Sequence, residues 1–279
     1  MAKDKIAPKP ATVTVRKSSG LGWVRDLPDP RDHLFSAPME VLQTLPSAVD
    51  LLPEFDIYNQ GRIGSCTANA LAGAIQFDRL KNKQNPPFVP SRLFIYYNER
   101  RVEGHVGNDA GAQLRDGIKT LQKYGVCPET EWTYDDTPAP TEGGPFPAGS
   151  KPVTQPSAAC YTDGLNYTIT TYQRLTPTLS QLQGCLAAGF PFVFGFTVFG
   201  SWYSHHPQPK VISLPIANDS IVGGHAVMCV GYDNATNLFK IRNSWGAGVG
   251  DHSYFFMPYA YMTSANLASD FWVINAVKD

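Results

Sequence analysis

The chain has 279 residues with 23 Lys+Arg against 24 Asp+Glu, a formal net charge of −1, and is 43% hydrophobic and 17% charged. That composition fits a soluble globular protein of one large or two modest domains. It carries no basic footprint for nucleic acid or an anionic membrane, and no run approaches the roughly 20 apolar residues of a spanning helix.

Residues 1–44 are polar and rich in proline (Pro8, Pro10, Pro28, Pro30, Pro38), which breaks regular elements, so they read as an extended arm without a core of its own. The positive start is not followed by an apolar h-region, so no classical signal peptide is read, and the chain is expected to be cytoplasmic or non-classically exported. From Cys66 to about Lys81, apolar residues fall on more than one face, as in a helix buried between layers. A second helix is predicted from Ser91, as N-cap, to about Arg101. A third has Leu114, Ile118 and Leu121 on one face and stops at Gly125.

Between 129 and 157, Pro, Gly and Thr mark a long connecting loop. Beyond it the pattern turns to strands at 192–199, 225–232, 238–242, 253–257 and 271–277, with one helix near 179–188 closed by Gly189. A helical part followed by a β-rich part is an α+β arrangement.

Three short stretches carry chemistry. Gln60 lies six positions before Cys66, which opens the first long helix; a thiol there meets unsatisfied backbone N–H groups and the positive end of the dipole, which favour thiolate. Gly224-His225-Ala226-Val227 begins an apolar strand, and Asn243-Ser244-Trp245-Gly246 ends another. A cysteine, a histidine to take its proton and an asparagine to orient the ring make a nucleophilic system. Each alone reads more simply as a buried thiol, a core histidine or a turn residue; the combination favours catalysis.

In order and spacing these pieces resemble the papain family of cysteine peptidases, from about Leu45-Pro46-Ser47-Ala48-Val49-Asp50 to near the C-terminus. Gly22-Trp23-Val24-Arg25-Asp26-Leu27-Pro28 and Ser65-Cys66-Thr67-Ala68-Asn69-Ala70 resemble its bacterial members with a short prosegment. The resemblance implies a two-lobe papain-like fold: a helical left lobe at about 45–135, a β-barrel-like right lobe at about 155–279, and a cleft between them. It implies Cys66 as nucleophile, His225 as its proton partner, Asn243 as the ring's orienter with Trp245 covering that contact, and Gln60 as oxyanion donor. Gly111 would present a backbone edge to substrate, Gly195 and Gly224 would lie near the main specificity pocket, and Trp245 would border it. The small residues there imply a roomy pocket unless side chains from the arm or the inserted loop refill it.

The implied function is a cysteine endopeptidase acting on peptide or protein substrates, expected to be a monomer without cofactor or metal, with its own N-terminal arm as inhibitor. A catalytically silent binding protein of the same fold, and an acyltransferase or ligase using the same nucleophile, stay open as alternatives.

Some positions depart from the family. Thr67 stands where Trp or Tyr usually follows the nucleophile, Val249 where a second Trp is usual, and Ile63 where a cysteine often pairs in a disulfide. The Cys66-to-His225 separation exceeds the roughly 130–150 positions usual for the type, implying insertions in the interlobe loop and around 204–219. With Cys66 free, the other four cysteines could form two bridges, one or none; Cys185 and Cys229 read as buried thiols, and Cys127 and Cys160 as the better candidates for a pair. His205-His206 has no carboxylate or cysteine spacing beside it that would make a metal site.

Overall fold

The computed structural model describes residues 20–205, 208–247 and 251–277; residues 1–19, His206 and Val249 therefore lie outside the described residues. In the first half of the chain, α1 (Met39–Gln43) is followed by α2 (Cys66–Lys81), α3 (Arg92–Glu103) and α4 (Leu114–Tyr124), with the short strands β1 (Trp23–Val24), β2 (Leu34–Phe35), β3 (Ala48–Asp50) and β4 (Ala112–Gln113) among them. The second half contains α5 (Ala158–Gly164), β5 (Ile169–Leu175), α6 (Leu179–Ala187), β6 (Phe192–Phe199), α7 (Gly200–Tyr203), β7 (Ile221–Asp233), β8 (Leu238–Arg242), β9 (Tyr254–Pro258), α8 (Tyr259–Met262) and β10 (Ala268–Val277).

The long helices follow the local chemistry. Alanine, leucine and glycine bury α2 on almost every side, between α3 and α4 on one flank and β7 and β10 on the other. Ser91 caps α3 by accepting the Phe94 N–H at 3.2 Å, and α4 buries Leu114, Ile118 and Leu121 and ends at Gly125 with φ +63°.

Eight of the strands form one sheet in the order β2-β5-β10-β6-β7-β8-β9, with β3 added to β7, and β1 and β4 form a separate two-stranded sheet. That path is open among the described residues, so the β-rich lobe is an open sheet and not a closed barrel. Side-chain alternation along β7 splits the interior in two. Ala226, Met228 and Val230 face the cluster around α2, whereas Val227 and Cys229, joined by Tyr232 beyond the register shift between Cys229 and Gly231, face an aromatic cluster that includes Phe192, Phe194, Phe196 and Phe271. Two local features cross the expected lobes: β3 joins the sheet, and α5 packs on the helical side, where Tyr161 meets Phe94 and Tyr124.

The arm differs most from its expectation. Proline does not prevent regular structure there: Pro38, at φ −55° and ψ 140°, is the N-cap of α1, where proline's fixed φ and missing N–H cost nothing. β1 pairs in parallel with β4, and β2 with β5.

Buried charges fasten the arm. Asp26 accepts hydrogen bonds from the Trp272 indole N–H at 2.9 Å and the Arg115 backbone N–H at 3.1 Å, while its own N–H donates to Asp270 at 2.8 Å. Asp32 pairs with Arg115 at 2.6 Å and Arg174 at 2.9 Å, and Arg174 reaches Asp270 at 3.2 Å. Burial, and then the Asp270 carboxylate beside it, push the Asp26 carboxyl up to about 6. Replacing Asp26 with Ala leaves two buried donors unmet and should lower unfolding free energy by roughly 2–4 kcal/mol. Denaturant unfolding of the full chain measures this; a midpoint matching the parent would show that Asp26 does not anchor the arm.

Candidate functional site

The loop that delivers Cys66 is tied down from several directions. The Gln60 N–H donates to the Ser244 carbonyl at 2.8 Å and the Gly246 N–H to the Tyr58 carbonyl at 3.0 Å, joining the segment before α2 to the segment after β8. The Gly64 N–H donates to Asp109 at 2.8 Å. The Tyr134 hydroxyl meets the Ser65 hydroxyl at 2.6 Å and donates to the Gln60 carbonyl at 3.0 Å, while Arg92 lies over the Tyr134 ring at 3.9 Å and bonds the Asn59 carbonyl at 3.2 Å. Cys66 is thereby fixed as the first residue of α2, and it is buried.

His225 lies within β7, opposite Phe196 in the register with β6. Its Nε2 is 2.8 Å from Asn243 Oδ1, and that oxygen also accepts the Ser244 N–H at 2.9 Å. The second bond identifies the Asn243 atom facing the ring as the oxygen, so Nε2 must carry the proton and donate. The remaining nitrogen, Nδ1, is then a lone-pair acceptor in the neutral ring, and it is buried without a hydrogen-bond partner. Trp245 stacks on the imidazole at 4.6 Å and 25°, and Phe196 meets it edge-on at 5.7 Å. Burial pushes the imidazole down to about 4 against the upward pull of the Asn243 bond, so the ring is neutral at pH 7 in this arm-covered form.

Gln60 is fully buried, with its side-chain oxygen accepting from the Ser244 hydroxyl at 2.7 Å. That fixes the amide so that Nε2 donates outward, to the Gly20 carbonyl at 2.8 Å and the Ile63 carbonyl at 3.0 Å. The arm therefore presents a backbone carbonyl to the expected oxyanion donor. It then threads between the segments that precede Cys66 and His225: the Gly22 N–H donates to the Gly224 carbonyl at 3.0 Å, and the Ala112 N–H donates to the Gly22 carbonyl at 2.8 Å. A Cβ on Gly22 would overlap the Gly64 carbonyl. The two walls are one strand's thickness apart there, and only glycine passes.

The expected substrate-binding residues all meet this arm or flank it. Gly111, with φ +71°, leads into the β4 edge that pairs with β1. A Cβ on Gly195 would overlap the Trp23 indole, and one on Gly224 would come within 2.7 Å of Trp23 Cε3. The pocket implied by these small residues is thus not empty: Trp23 fills it. Leu21, almost fully buried, packs beside Gly223. Trp245 lies against His225, with its indole nitrogen 3.7 Å from where a Cβ on Gly20 would stand.

Ser244 and Tyr134 carry no expected role in the sequence, Asp109 only one as a neighbour of the Gly111 edge, and the arm residues that enter the cleft are not singled out by any local pattern. Ser244 and Trp23 lie inside motifs that resemble the family; Asp109 and Tyr134 sit in loops whose partners only the fold reveals.

The five cysteines are free thiols. Cys185 points to the Phe190 carbonyl at 3.3 Å and Cys229 to the Gly231 carbonyl at 3.7 Å, both buried as expected. No helix among the described residues is long and apolar enough to cross a membrane.

Comparison with known proteins gives a consistent picture. The family described as "Papain family cysteine protease" matches residues 45–273. The solved structure of xylellain, a cysteine protease from Xylella fastidiosa, is similar with 52% sequence identity and a TM-score of 0.92, covering 98% of this chain and 100% of that one. An uncharacterized peptidase C1-like protein of Acanthamoeba polyphaga mimivirus is 36% identical across 94% of this chain and 88% of its own length. Procathepsin B S9 from Trypanosoma congolense, at 18% identity and a TM-score of 0.67 with 86% and 80% of the two chains covered, shares the fold.

The buried imidazole gives a direct expectation. In NMR titration of the full chain, the His225 ring should protonate near pH 4, well below the ordinary value of 6.5. Removing residues 1–24 should return it upward, because water re-enters the cleft and the charged form regains solvation. A midpoint near 6.5 in the full chain would contradict the burial argument.

Proposed function

This chain belongs to the papain family of cysteine proteases, and from that premise we propose that it is an endopeptidase held latent by its N-terminal arm. As a cysteine protease it is a hydrolase of peptide bonds in peptide or protein substrates; the assignment of steps to residues is our reading. Cys66 sulfur attacks the scissile carbonyl after its proton passes to His225 Nδ1, the nitrogen left as acceptor when Nε2 donates to Asn243. The oxyanion is held by the Gln60 amide and the Cys66 backbone N–H at the helix start. His225 returns its proton to the leaving amine, and water then hydrolyses the acyl-enzyme with the same imidazole as base. Asn243 keeps the ring in the required tautomer, and Trp245 covers that hydrogen bond from water, which strengthens it.

The single observation that carries latency is the 2.8 Å contact between the Gly20 carbonyl and Gln60 Nε2. The arm occupies the donor that substrate needs while Trp23 fills the pocket at Gly195 and Gly224. Residues 1–44 are assigned to the arm and 45–279 to the catalytic domain. Within the arm the tasks divide: 20–24 obstruct, and 26–37 anchor, since Phe35 and Ala37 are buried in the β-lobe core beside Leu182 and Leu186. An activating cut therefore needs to remove only the first part.

The experiment is a truncation starting at residue 25, assayed with fluorogenic peptides beside the full chain and beside Cys66→Ala. The truncation should raise kcat/KM at least about tenfold, with Cys66→Ala inactive in either background. Its preferred peptides should place a bulky aromatic side chain, like that of Trp23, in the pocket and be favoured over glycine or alanine by roughly 10–100-fold. A folded truncation with unchanged turnover rejects latency; one with no hydrolysis favours a silent binding protein; amide products formed with an added amine favour an acyltransferase. In the truncation, Asn243→Ala should lower kcat/KM by about 10² through loss of ring orientation; retained activity would remove Asn243 from the mechanism.

A further inference from the structure

Away from the cleft the fold brings together two thiols that the peptidase reading leaves unused. Cys127 follows the turn that ends α4, and Cys160 lies in α5; both are buried, and their Sγ atoms and a Glu131 carboxylate oxygen all lie within 4.8 Å of one another. The two segments are in backbone contact. A Cβ on Gly125 would overlap the Gly164 carbonyl, and one on Gly164 would come within 2.8 Å of the Tyr124 carbonyl and 3.5 Å of the Cys127 nitrogen. Side-chain bulk is therefore absent where these chains cross, which is what a disulfide needs, since it spans only about 4.4–6.8 Å between Cα atoms. Both cysteines are free thiols in this structure: the Ser157 hydroxyl donates to Cys160 sulfur at 3.2 Å, and burial pushes the Cys127 thiol up, with Cys160 beside it adding to the effect.

We propose that Cys127 and Cys160 are a disulfide-forming pair, closed by thiol–disulfide exchange with a small-molecule disulfide such as oxidised glutathione. Opening of the seven-residue helix α5 exposes Cys160. Its thiolate attacks one glutathione sulfur, the oxidant's S–S bond breaks, and the first glutathione leaves as thiolate. Cys127 thiolate then attacks the mixed disulfide at the Cys160 sulfur and expels the second glutathione. Two protein thiols are oxidised by two electrons, one oxidised glutathione is reduced to two glutathione molecules, and the two protons end on the released thiolates.

The bridge would close the segment that steadies the nucleophile loop. Between its ends lie Glu129, bonded to Arg92 at 2.6 and 2.8 Å, and Tyr134, bonded to Ser65 and Gln60. Covalent closure restricts the unfolded chain and holds the base of this loop while leaving the cleft contacts in place.

The test uses the full chain carrying Cys66→Ala, so it does not depend on peptidase activity. The protein is equilibrated at pH 8 with oxidised or reduced glutathione, denatured, alkylated with iodoacetamide and mapped by mass spectrometry; its thermal midpoint is read in parallel. The oxidised sample should show two fewer alkylated thiols, a cross-linked peptide joining Cys127 and Cys160, and a midpoint about 5 °C higher. That rise should be absent in both Cys127→Ser and Cys160→Ser, and the mapped cross-link stands without either variant should they fail to fold. Full alkylation of both thiols after oxidation, glutathione adducts without a cross-link, a Cys185–Cys229 bridge instead, or stoichiometric zinc retained by the isolated protein would each overturn the proposal.

Discussion

Two backbone hydrogen bonds, from the Gln60 N–H to the Ser244 carbonyl and from the Gly246 N–H to the Tyr58 carbonyl, hold the site's two halves in register. They tie the residues before Cys66 to the residues beside Asn243, the imidazole's partner. Through them Ser244 serves both sides: its N–H settles which Asn243 atom faces His225, and its hydroxyl sets the outward direction of the Gln60 amide. The His225 tautomer and the direction of the Gln60 amide are thus fixed by one short ladder, although Gln60 and Asn243 stand far apart in the chain.

That preorganised geometry is also what the arm exploits. A carbonyl at Gly20 satisfies the Gln60 amide, glycine at 22 passes where no side chain could, and Leu21 and Trp23 exchange water for apolar walls. The covered state carries opposing proton linkages. Asp26, raised to about 6 when docked against an ordinary 3.8, favours docking as pH falls and loses that contribution as pH rises through about 6. His225, lowered to about 4 from 6.5, acts the other way: between 6.5 and 4 the uncovered ring takes up a proton that the covered ring refuses, so acid favours release. The anchor and the active site therefore respond to pH with opposite sign.

Much of this was legible in the chain because the signals were local. Helix α2, the Ser91 cap, the Gly125 stop and the strand at 192–199 are each announced by periodicity or by a terminating residue. β5 was not, because its burial follows no clean alternation: it packs between the two-residue β2 and β10, and its middle is half exposed. The short arm elements were hidden for a related reason, since pairs as brief as Trp23–Val24 owe their form to partners nearly ninety residues away and carry no period of their own. The catalytic candidates were legible as a set of types in order. Their supports were not, since the Asp109, Tyr134 and Ser244 contacts depend on how loops from different parts of the chain meet.

Arm removal should leave Cys66 as a thiolate stabilised by His225. The direct measurement is the pH dependence of Cys66 alkylation by iodoacetamide in the chain beginning at residue 25, followed by peptide mapping beside its His225→Ala counterpart. Fast labelling should persist to about pH 5 in the first protein and be confined to the region of an ordinary thiol, near pH 8.5, in the second. Indistinguishable profiles, both rising only near pH 8.5, would contradict it.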